Sequence, residues 1–360
     1  MLPHGATSAK ATAAYETFKR VTVTADGASD FLRVFKPDSG TVIGSTVSEG
    51  MGYGLLLAVY HDDQAVFDQL WRYTAKYLNA NGLMDWEVDP QGAVIGKGAA
   101  SDGDEDIAFA LVMASRKWGG RGSLDEAYVT LGVRMIDALL KHAVDVDRNS
   151  LWKPGDRWGP RDITNLSYFA PAYFRVFGEV SGKQAAWDAV IDGNYDVLDR
   201  TLNDMLGNKN NGLVPAWSNS VGETVSAYTG AATHFQNDST RTPFRIGQDY
   251  CWWKEPRAKS YLNKIAAFYA GEGVANIKDG YNLDGTPRPE RPNVATQAAS
   301  FVGPAGVAFM SDPKYQNQLD EAWAKVATET LTNGTIYYQK SWTALSLLMM
   351  AGDMQVLPQK

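Results

Sequence analysis

Twelve helices arranged as two concentric rings of six is the architecture to expect from this 360-residue chain. Three features carry that expectation. Apolar residues recur at three- and four-residue spacing through most of the sequence. Convincing strand alternation is scarce, with only Leu32–Phe35 and Gly92–Ile95 as short candidates. The connections also alternate in length, and the long ones fall before every second helix. An irregular all-α domain is the alternative that the pattern leaves open.

The helical period predicts helices over Lys10–Val21, Glu49–His61, Gln64–Leu78, Asp104–Lys117, Leu124–Ala143 and Pro171–Val180. It continues over Lys183–Leu202, Thr240–Trp253, Pro256–Gly271, Ala295–Phe309, Pro313–Leu331 and Tyr337–Ala351. Some joints are tight, such as His61–Asp63. Four are long and rich in Gly, Pro, Asn and Asp: Asn79–Asp102, Asp145–Ala170, Asn203–Ser239 and Asn276–Val294. These precede the fourth, sixth, eighth and tenth helices, and the extended segment Ser29–Ser48 leads into the second. In an up–down series all even-numbered helices start at the same end. Long loops before them therefore build one wall of loops there, and long loops in a compact domain are usually functional. No composition shift marks a domain boundary, so residues 1–360 are expected to form a single domain.

Composition narrows the function classes. Hydrophobic residues make up 44% of the chain, enough for a large core, and charged residues 21%, with no persistent like-charge block. The net charge of −7 and pI near 5.2 argue against a nucleic-acid binder and leave a neutral or cationic substrate open. One cysteine, Cys251, excludes an intrachain disulfide. His4, His61, His142 and His234 share no metal-site spacing, and HExxH, CxxC and P-loop patterns are missing, so no metal or cofactor is expected. The apolar runs Gly54–Tyr60 and Ala344–Ala351 are far too short to span a bilayer. Met1–Lys10 lacks the apolar segment of a signal peptide. The 11 tryptophans serve either a large core or sugar-stacking platforms, because a pyranose offers flat C–H faces to an indole.

Three acidic positions stand at the starts of even helices. In Thr46-Val47-Ser48-Glu49-Gly50-Met51-Gly52-Tyr53-Gly54, three glycines at spacing two each cost about 1 kcal/mol against Ala. The room they leave serves either close helix packing or close approach of a ligand. Ser48 is a candidate N-cap, and Glu49 is either a dipole partner or a reacting acid. In Ala100-Ser101-Asp102-Gly103-Asp104-Glu105-Asp106-Ile107-Ala108, the calcium-loop pattern fails because Ile107 and Met113 stand where Gly and Glu are needed. An N-cap with an acidic first turn is the plain reading; Asp106, one turn after Asp102, can face inward. In Phe235-Gln236-Asn237-Asp238-Ser239-Thr240-Arg241-Thr242-Pro243-Phe244-Arg245, Pro243 belongs in a first helical turn. Asp238 caps or precedes that helix, and Arg241 and Arg245 share one face beside it, as a salt bridge or as part of a site.

Nucleophilic chemistry fits poorly. Ser48 lacks a G-x-S-x-G elbow, and the Gly50–Gly54 run has neither the spacing nor the preceding strand of a dinucleotide fingerprint. Carboxylates in an aromatic-rich cleft remain, the combination that acid–base hydrolysis of a glycosidic bond needs.

These segments together resemble glycoside hydrolase family 8, which includes endo-β-1,4-glucanases, lichenases, xylanases and chitosanases. The resemblance spans nearly the whole chain. Ser48–Gly54 looks like the family's general-acid segment, and Ala100–Ala108, ending at Trp118, like its signature. Asn165-Leu166-Ser167-Tyr168-Phe169-Ala170-Pro171, Asp238 with Arg241-Thr242-Pro243, and Tyr337-Tyr338 follow in the expected order. The resemblance implies an (α/α)6 barrel and inverting endo-hydrolysis of a β-1,4-linked glucan, cellulose or mixed-linkage. Chitosanase or xylanase activity and an inactive sugar-binding module are the alternatives. It implies Glu49 as general acid, Asp238 as general base and Asp102 as the carboxylate holding the sugar at the cleavage point. Trp86 and Trp158 are implied as sugar platforms, and Tyr168, Asn237, Arg241 and Tyr338 as cleft residues. Glu49 must be protonated, and Asp102 is the neighbour expected to raise its pKa; Arg241 is expected to keep Asp238 ionised. The implied setting is extracellular or periplasmic, with the leader outside this sequence. A polysaccharide is the expected partner, with no nucleic acid and no membrane, for a monomer.

One residue departs from the family pattern: Asn237 stands where a tyrosine often precedes the base. Asn237→Tyr should change the ratio of activities on carboxymethylcellulose, lichenan, xylan and chitosan while leaving the melting temperature unchanged. Unaltered ratios would show the position to be neutral.

Overall fold

The computed structural model describes residues 1–40, 42–228, 233–288, 297–328 and 334–359. Among them lie twelve α-helices. They are α1 (Ser8–Thr22), α2 (Ser48–Tyr60), α3 (Gln64–Lys76), α4 (Ser101–Trp118), α5 (Tyr128–His142) and α6 (Pro171–Ser181). The second half holds α7 (Gln184–Arg200), α8 (Thr242–Trp253), α9 (Pro256–Glu272), α10 (Ala299–Phe309), α11 (Gln316–Ala327) and α12 (Ile336–Met350). Each expected helix is present. The expected start of the tenth and end of the eleventh fall partly outside the described residues.

The helices form an (α/α)6 barrel. Around the inner ring α2 packs on α4, α4 on α6, α6 on α8, α8 on α10, α10 on α12, and α12 closes on α2. Each outer helix lies against an inner one: α3 on α2, α5 on α4, α7 on α6, α9 on α8, α11 on α10 and α1 on α12. The sequence explains the division. Inner helices are surrounded by protein and are buried on nearly all sides: every residue of α10 is buried, and in α2 only Glu49 and Tyr60 are not. Outer helices keep a stripe. In α9 the buried residues are Ala258, Tyr261, Leu262, Ile265, Ala266 and Tyr269, at three- and four-residue steps.

Short strands brace the loops at the N-terminal end of the inner ring. β1 (Val23–Thr24) pairs with β2 (Arg33–Val34), and β3 (Thr46–Val47) pairs with β4 (Glu87–Val88), which pairs with β5 (Val94–Gly96); β6 (Val144–Asp145) pairs with β7 (Leu151–Trp152). All pairings are antiparallel. β2 and β5 overlap the two strand candidates, while pieces of two residues are too short to show alternation in sequence.

The glycines of α2 and α4 set how near these helices come. A Cβ on Gly103 would sit 2.5 Å from the Ser48 carbonyl carbon and 2.6 Å from the Glu49 nitrogen. One on Gly52 would sit 2.7 Å from Asp106 Cβ. Close helix packing is therefore the use of this room at Gly52 and Gly103. Gly103→Ala should destabilise by about 1–3 kcal/mol, because backbone must move to admit the methyl. The control is Gly271→Ala on exposed α9, where nothing lies within 4 Å; it should be neutral or stabilising by up to about 1 kcal/mol. Equal denaturation midpoints for the two variants would refute the close-contact account.

Candidate active site

The N-termini of the inner helices converge, and one side chain joins them. Arg241 ends the 3-10 turn Ser239–Arg241 that leads into α8, and it is 1% exposed. Its Nη1 donates to Glu49 Oε2 at 2.5 Å and to Asp102 Oδ2 at 2.7 Å. Its Nη2 lies 3.5 Å from Asp238 Oδ1, and its Nε donates to Ser167 Oγ at 3.1 Å. The guanidinium stacks over Tyr168, 5.0 Å from the ring centre. A buried guanidinium needs acceptors for its donors and anions for its charge, and the helix starts supply both.

The three carboxylates differ in setting. The Asp102 side chain is 4% exposed, that of Glu49 20% and that of Asp238 34%. Burial pushes the Glu49 carboxyl up from its ordinary range, Asp102 and Asp238 add to the rise, and Arg241 and the Tyr337 hydroxyl oppose it. Burial thus outweighs Asp102, the neighbour expected to dominate. The expected link between Arg241 and Asp238 is also the weakest of the three: the short bonds of Arg241 go to Glu49 and Asp102, which sit deeper and cannot be reached by water as readily.

Two capping expectations are corrected. Ser48 is the first residue of α2, Val47 stands at the N-cap, and the Ser48 hydroxyl has no hydrogen-bond partner. Ser48 N–H instead donates to the Trp86 carbonyl at 3.0 Å, continuing the β3–β4 pairing into the helix. Asp102 lies inside the first turn of α4, with Ala100 at the N-cap, and its carboxylate turns to Arg241. Asp106 does face inward. It makes a paired contact with Arg245, Nη1–Oδ1 2.6 Å and Nη2–Oδ2 2.9 Å, one turn below Arg241. Burial raises the neighbouring Glu105 well above the ordinary carboxyl range.

The remaining expected residues also gather here. Tyr338 OH donates to the Asn237 carbonyl at 2.7 Å. Asn237 lines the same hollow as Glu49 and Asp238, together with Lys36, Tyr337 and Tyr338. Trp158 stacks on Trp217 (centroids 5.8 Å), and Trp217 meets Tyr168 edge-on at 6.2 Å, so Trp158 and Tyr168 of the loop before α6 form an aromatic row with Trp217 of the loop before α8. Trp86 is 39% exposed beside the start of α2. In the connection that precedes α8, the acids Asp204 and Glu223 are bonded to Lys209 and Asn219; residues 229–232 of that connection lie outside the described residues.

Comparison with protein-family models matches residues 2–352 to the family described as glycosyl hydrolases family 8. The chain belongs to glycosyl hydrolase family 8. Endoglucanase 2 of Ruminiclostridium josui is 37% identical over 344 residues, spanning 94% of this chain and 70% of that protein. Endoglucanase A of Acetivibrio thermocellus is 36% identical over 347 residues, spanning 95% and 69%. Among solved structures, the apo β-1,3-1,4-glucanase from Paenibacillus sp. X4 superposes with a TM-score of 0.87 at 28% identity, covering 98% of this chain and 95% of that one. This family-8 chain is thus a glycoside hydrolase. Among the described residues no helix is long and apolar enough to cross a membrane, and no group of three or more His, Cys, Asp or Glu is arranged to hold a metal.

Sequence reasoning gave no role to four residues of this family-8 site. Tyr337, 4% exposed, donates to Glu49 Oε1 at 2.7 Å. Gln236 bonds Asp238 at 3.0 Å. Trp217 bridges Trp158 and Tyr168, and Tyr228, 61% exposed, stands edge-on to Trp217 at 6.2 Å. Tyr337 begins a helix next to Tyr338, and the other three sit in the long loop before α8, where periodicity gives no side-chain direction.

The Tyr337 bond favours the charged form of Glu49. Its removal in Tyr337→Phe leaves burial less opposed, so the Glu49 titration midpoint should rise further. Carboxyl 13C NMR of Glu-labelled protein would read this; a midpoint that stays or falls contradicts the assignment.

Proposed function

We propose that this family-8 enzyme is an endo-β-1,4-glucanase acting by single displacement on cellulose chains or mixed-linkage glucan. Glu49 is the general acid, Asp238 the general base, and Asp102 the carboxylate that holds the sugar at the cut. The observation that carries this reading is the unequal treatment of two carboxylates by one guanidinium. Glu49 is largely buried, pushed toward its protonated form and braced by Arg241 and Tyr337. Asp238 is the more exposed and only loosely held by Arg241, as a base that must meet water requires.

In this reading a glucan lies across the helix N-termini. Glu49 gives its proton to the glycosidic oxygen as the C–O bond breaks. A water molecule attacks the anomeric carbon from the opposite face while Asp238 takes its proton, and the new reducing end forms as the α-anomer. Such a pair works at a carboxyl separation of about 6.5–9.5 Å, leaving room for the water. Asp102 uses Oδ2 on Arg241, while its buried Oδ1 has no hydrogen-bond partner; a sugar hydroxyl would satisfy it. Trp86 and Trp158 are proposed as stacking platforms, with Trp158 backed by the Trp217–Tyr168 row; Asn237, Arg241 and Tyr338 shape the cleft at the cut. Endoglucanase relatives at 36–37% identity and the β-1,3-1,4-glucanase neighbour support a β-glucan over xylan or chitosan.

We further propose that residues 1–360 act as one catalytic domain and as a monomer, since acid, base and bridging arginine come from one chain. Export is proposed because a polymeric glucan has to be met outside the cell.

Glu49→Gln and Asp238→Asn should each lower kcat by about 10²–10⁴-fold or more, with substrate binding largely kept. Wild-type product should appear first as the α-anomer by 1H NMR. A β-anomer would exclude single displacement and imply a carboxyl pair nearer ~5–5.5 Å. Full activity in Asp238→Asn would put the base elsewhere.

A further inference from the structure

An aspartate immediately before a helical turn ordinarily folds back and accepts a hydrogen bond from a backbone N–H of its own first turn. Asp238 stands at that position and makes no such bond, because its own backbone is already helical (φ −71°, ψ −52°) where a capping residue is extended. Its carboxylate is taken by Gln236 instead. Gln236 Nε2 donates to Asp238 Oδ2 at 3.0 Å, and Gln236 Oε1 accepts from the Asp238 backbone N–H at 3.1 Å. Only one orientation of the amide satisfies both bonds, because the carboxylate needs a donor and the N–H an acceptor.

The residue that carries the amide is held by its backbone. Gln236 is 9% exposed, and its backbone carbonyl accepts from Thr240 N–H at 3.0 Å. Phe235 before it exchanges two backbone hydrogen bonds with Tyr281, both 3.0 Å. Asn237 after it is tied through its carbonyl to Tyr338 of α12. Three consecutive residues are thus fixed by three different parts of the fold, and the side chain of the middle one closes a ring on Asp238.

We propose that Gln236 is the positioning residue of the base: its two bonds fix the Asp238 carboxylate in one orientation at the cleft. With Oδ2 occupied by the amide, Oδ1 is left to take the proton from water. It lies 3.5 Å from Arg241 Nη2, too far for a strong bond. This inference rests on the reading of Asp238 as the base.

Two variants test it. Gln236→Met keeps the length and loses both bonds. Gln236→Glu keeps the acceptor for the Asp238 N–H and replaces the donor with a second carboxylate. Both should lower kcat by about 10–100-fold with KM changed less than about threefold, the scale expected when a reacting group is misplaced by an ångström or less. Gln236→Glu should also move the acid limb of the kcat/KM–pH profile upward, because a neighbouring carboxylate favours the protonated base. Equal losses in the two variants with an unmoved limb would reduce Gln236 to a structural role and overturn the proposal, as would wild-type kinetics in both. If Gln236→Met does not fold, the near-isosteric Gln236→Glu decides through the position of its limb. Asp238→Asn in the same assay separates the two levels. An active Asp238→Asn sinks the base reading itself, whereas an inactive one beside wild-type Gln236 variants sinks only the role of Gln236.

Discussion

A guanidinium that is 1% exposed has to be neutralised where it sits, and Arg241 is neutralised by carboxylates from three different helix starts. The rest of the site follows from that requirement. Two short bonds go to the deepest partners, Glu49 and Asp102, and the long one to the rim, Asp238. Removing Arg241 would leave the buried carboxylates of Glu49 and Asp102 uncompensated, which typically costs several kcal/mol, whereas the intact cluster adds little net stability over a well-packed apolar core. The cluster is therefore better understood as fixing geometry than as holding the barrel together. The planar fork, stacked on Tyr168, gives fixed directions that a lysine ammonium would not.

The geometry could not exist with ordinary helix spacing. Gly103 lets α4 come against the Ser48–Glu49 peptide, and Gly52 admits Asp106. This close approach lets one nitrogen, Nη1, reach carboxylates on two helices. One turn deeper Arg245 repeats the arrangement with Asp106, so polar contacts continue into the barrel axis where apolar helices would otherwise meet. Neighbouring inner helices are also linked at their starts. Thr240 bonds the Ser300 carbonyl, Gln339 bonds Ser300, and Tyr337 bonds Glu49.

Much of this was legible in the sequence because helices are long enough to display a period. The double ring followed from where the long loops fell, and the three acids were recognisable because each stands at the start of an even helix. What stayed hidden depends on side-chain direction outside regular structure. Gln236, Trp217 and Tyr228 lie in one long loop, and nothing in their spacing says which way they face. Ser48 looked like a cap, yet the strand pairing that carries β3 into α2 engages its N–H from outside the helix and makes it the first helical residue. The rise of the Glu49 pKa was foreseen with the wrong leading cause, because burial is a property of the assembled ring and not of the segment.

The bond from Tyr337 to Glu49 joins residues 288 apart in the chain. α12, which carries Tyr337, packs against both α1 and α2, so the first and last helices meet only when the ring closes. During synthesis the chain emerges from its N-terminus, and the segments bearing Glu49, Asp102 and Asp238 leave the ribosome well before the helix that completes their surroundings. Contacts so distant in sequence form late and slowly. The barrel therefore ties the maturation of the carboxylate cluster to the emergence of α12: a chain truncated before α12 carries the acids without the hydroxyl that braces one of them.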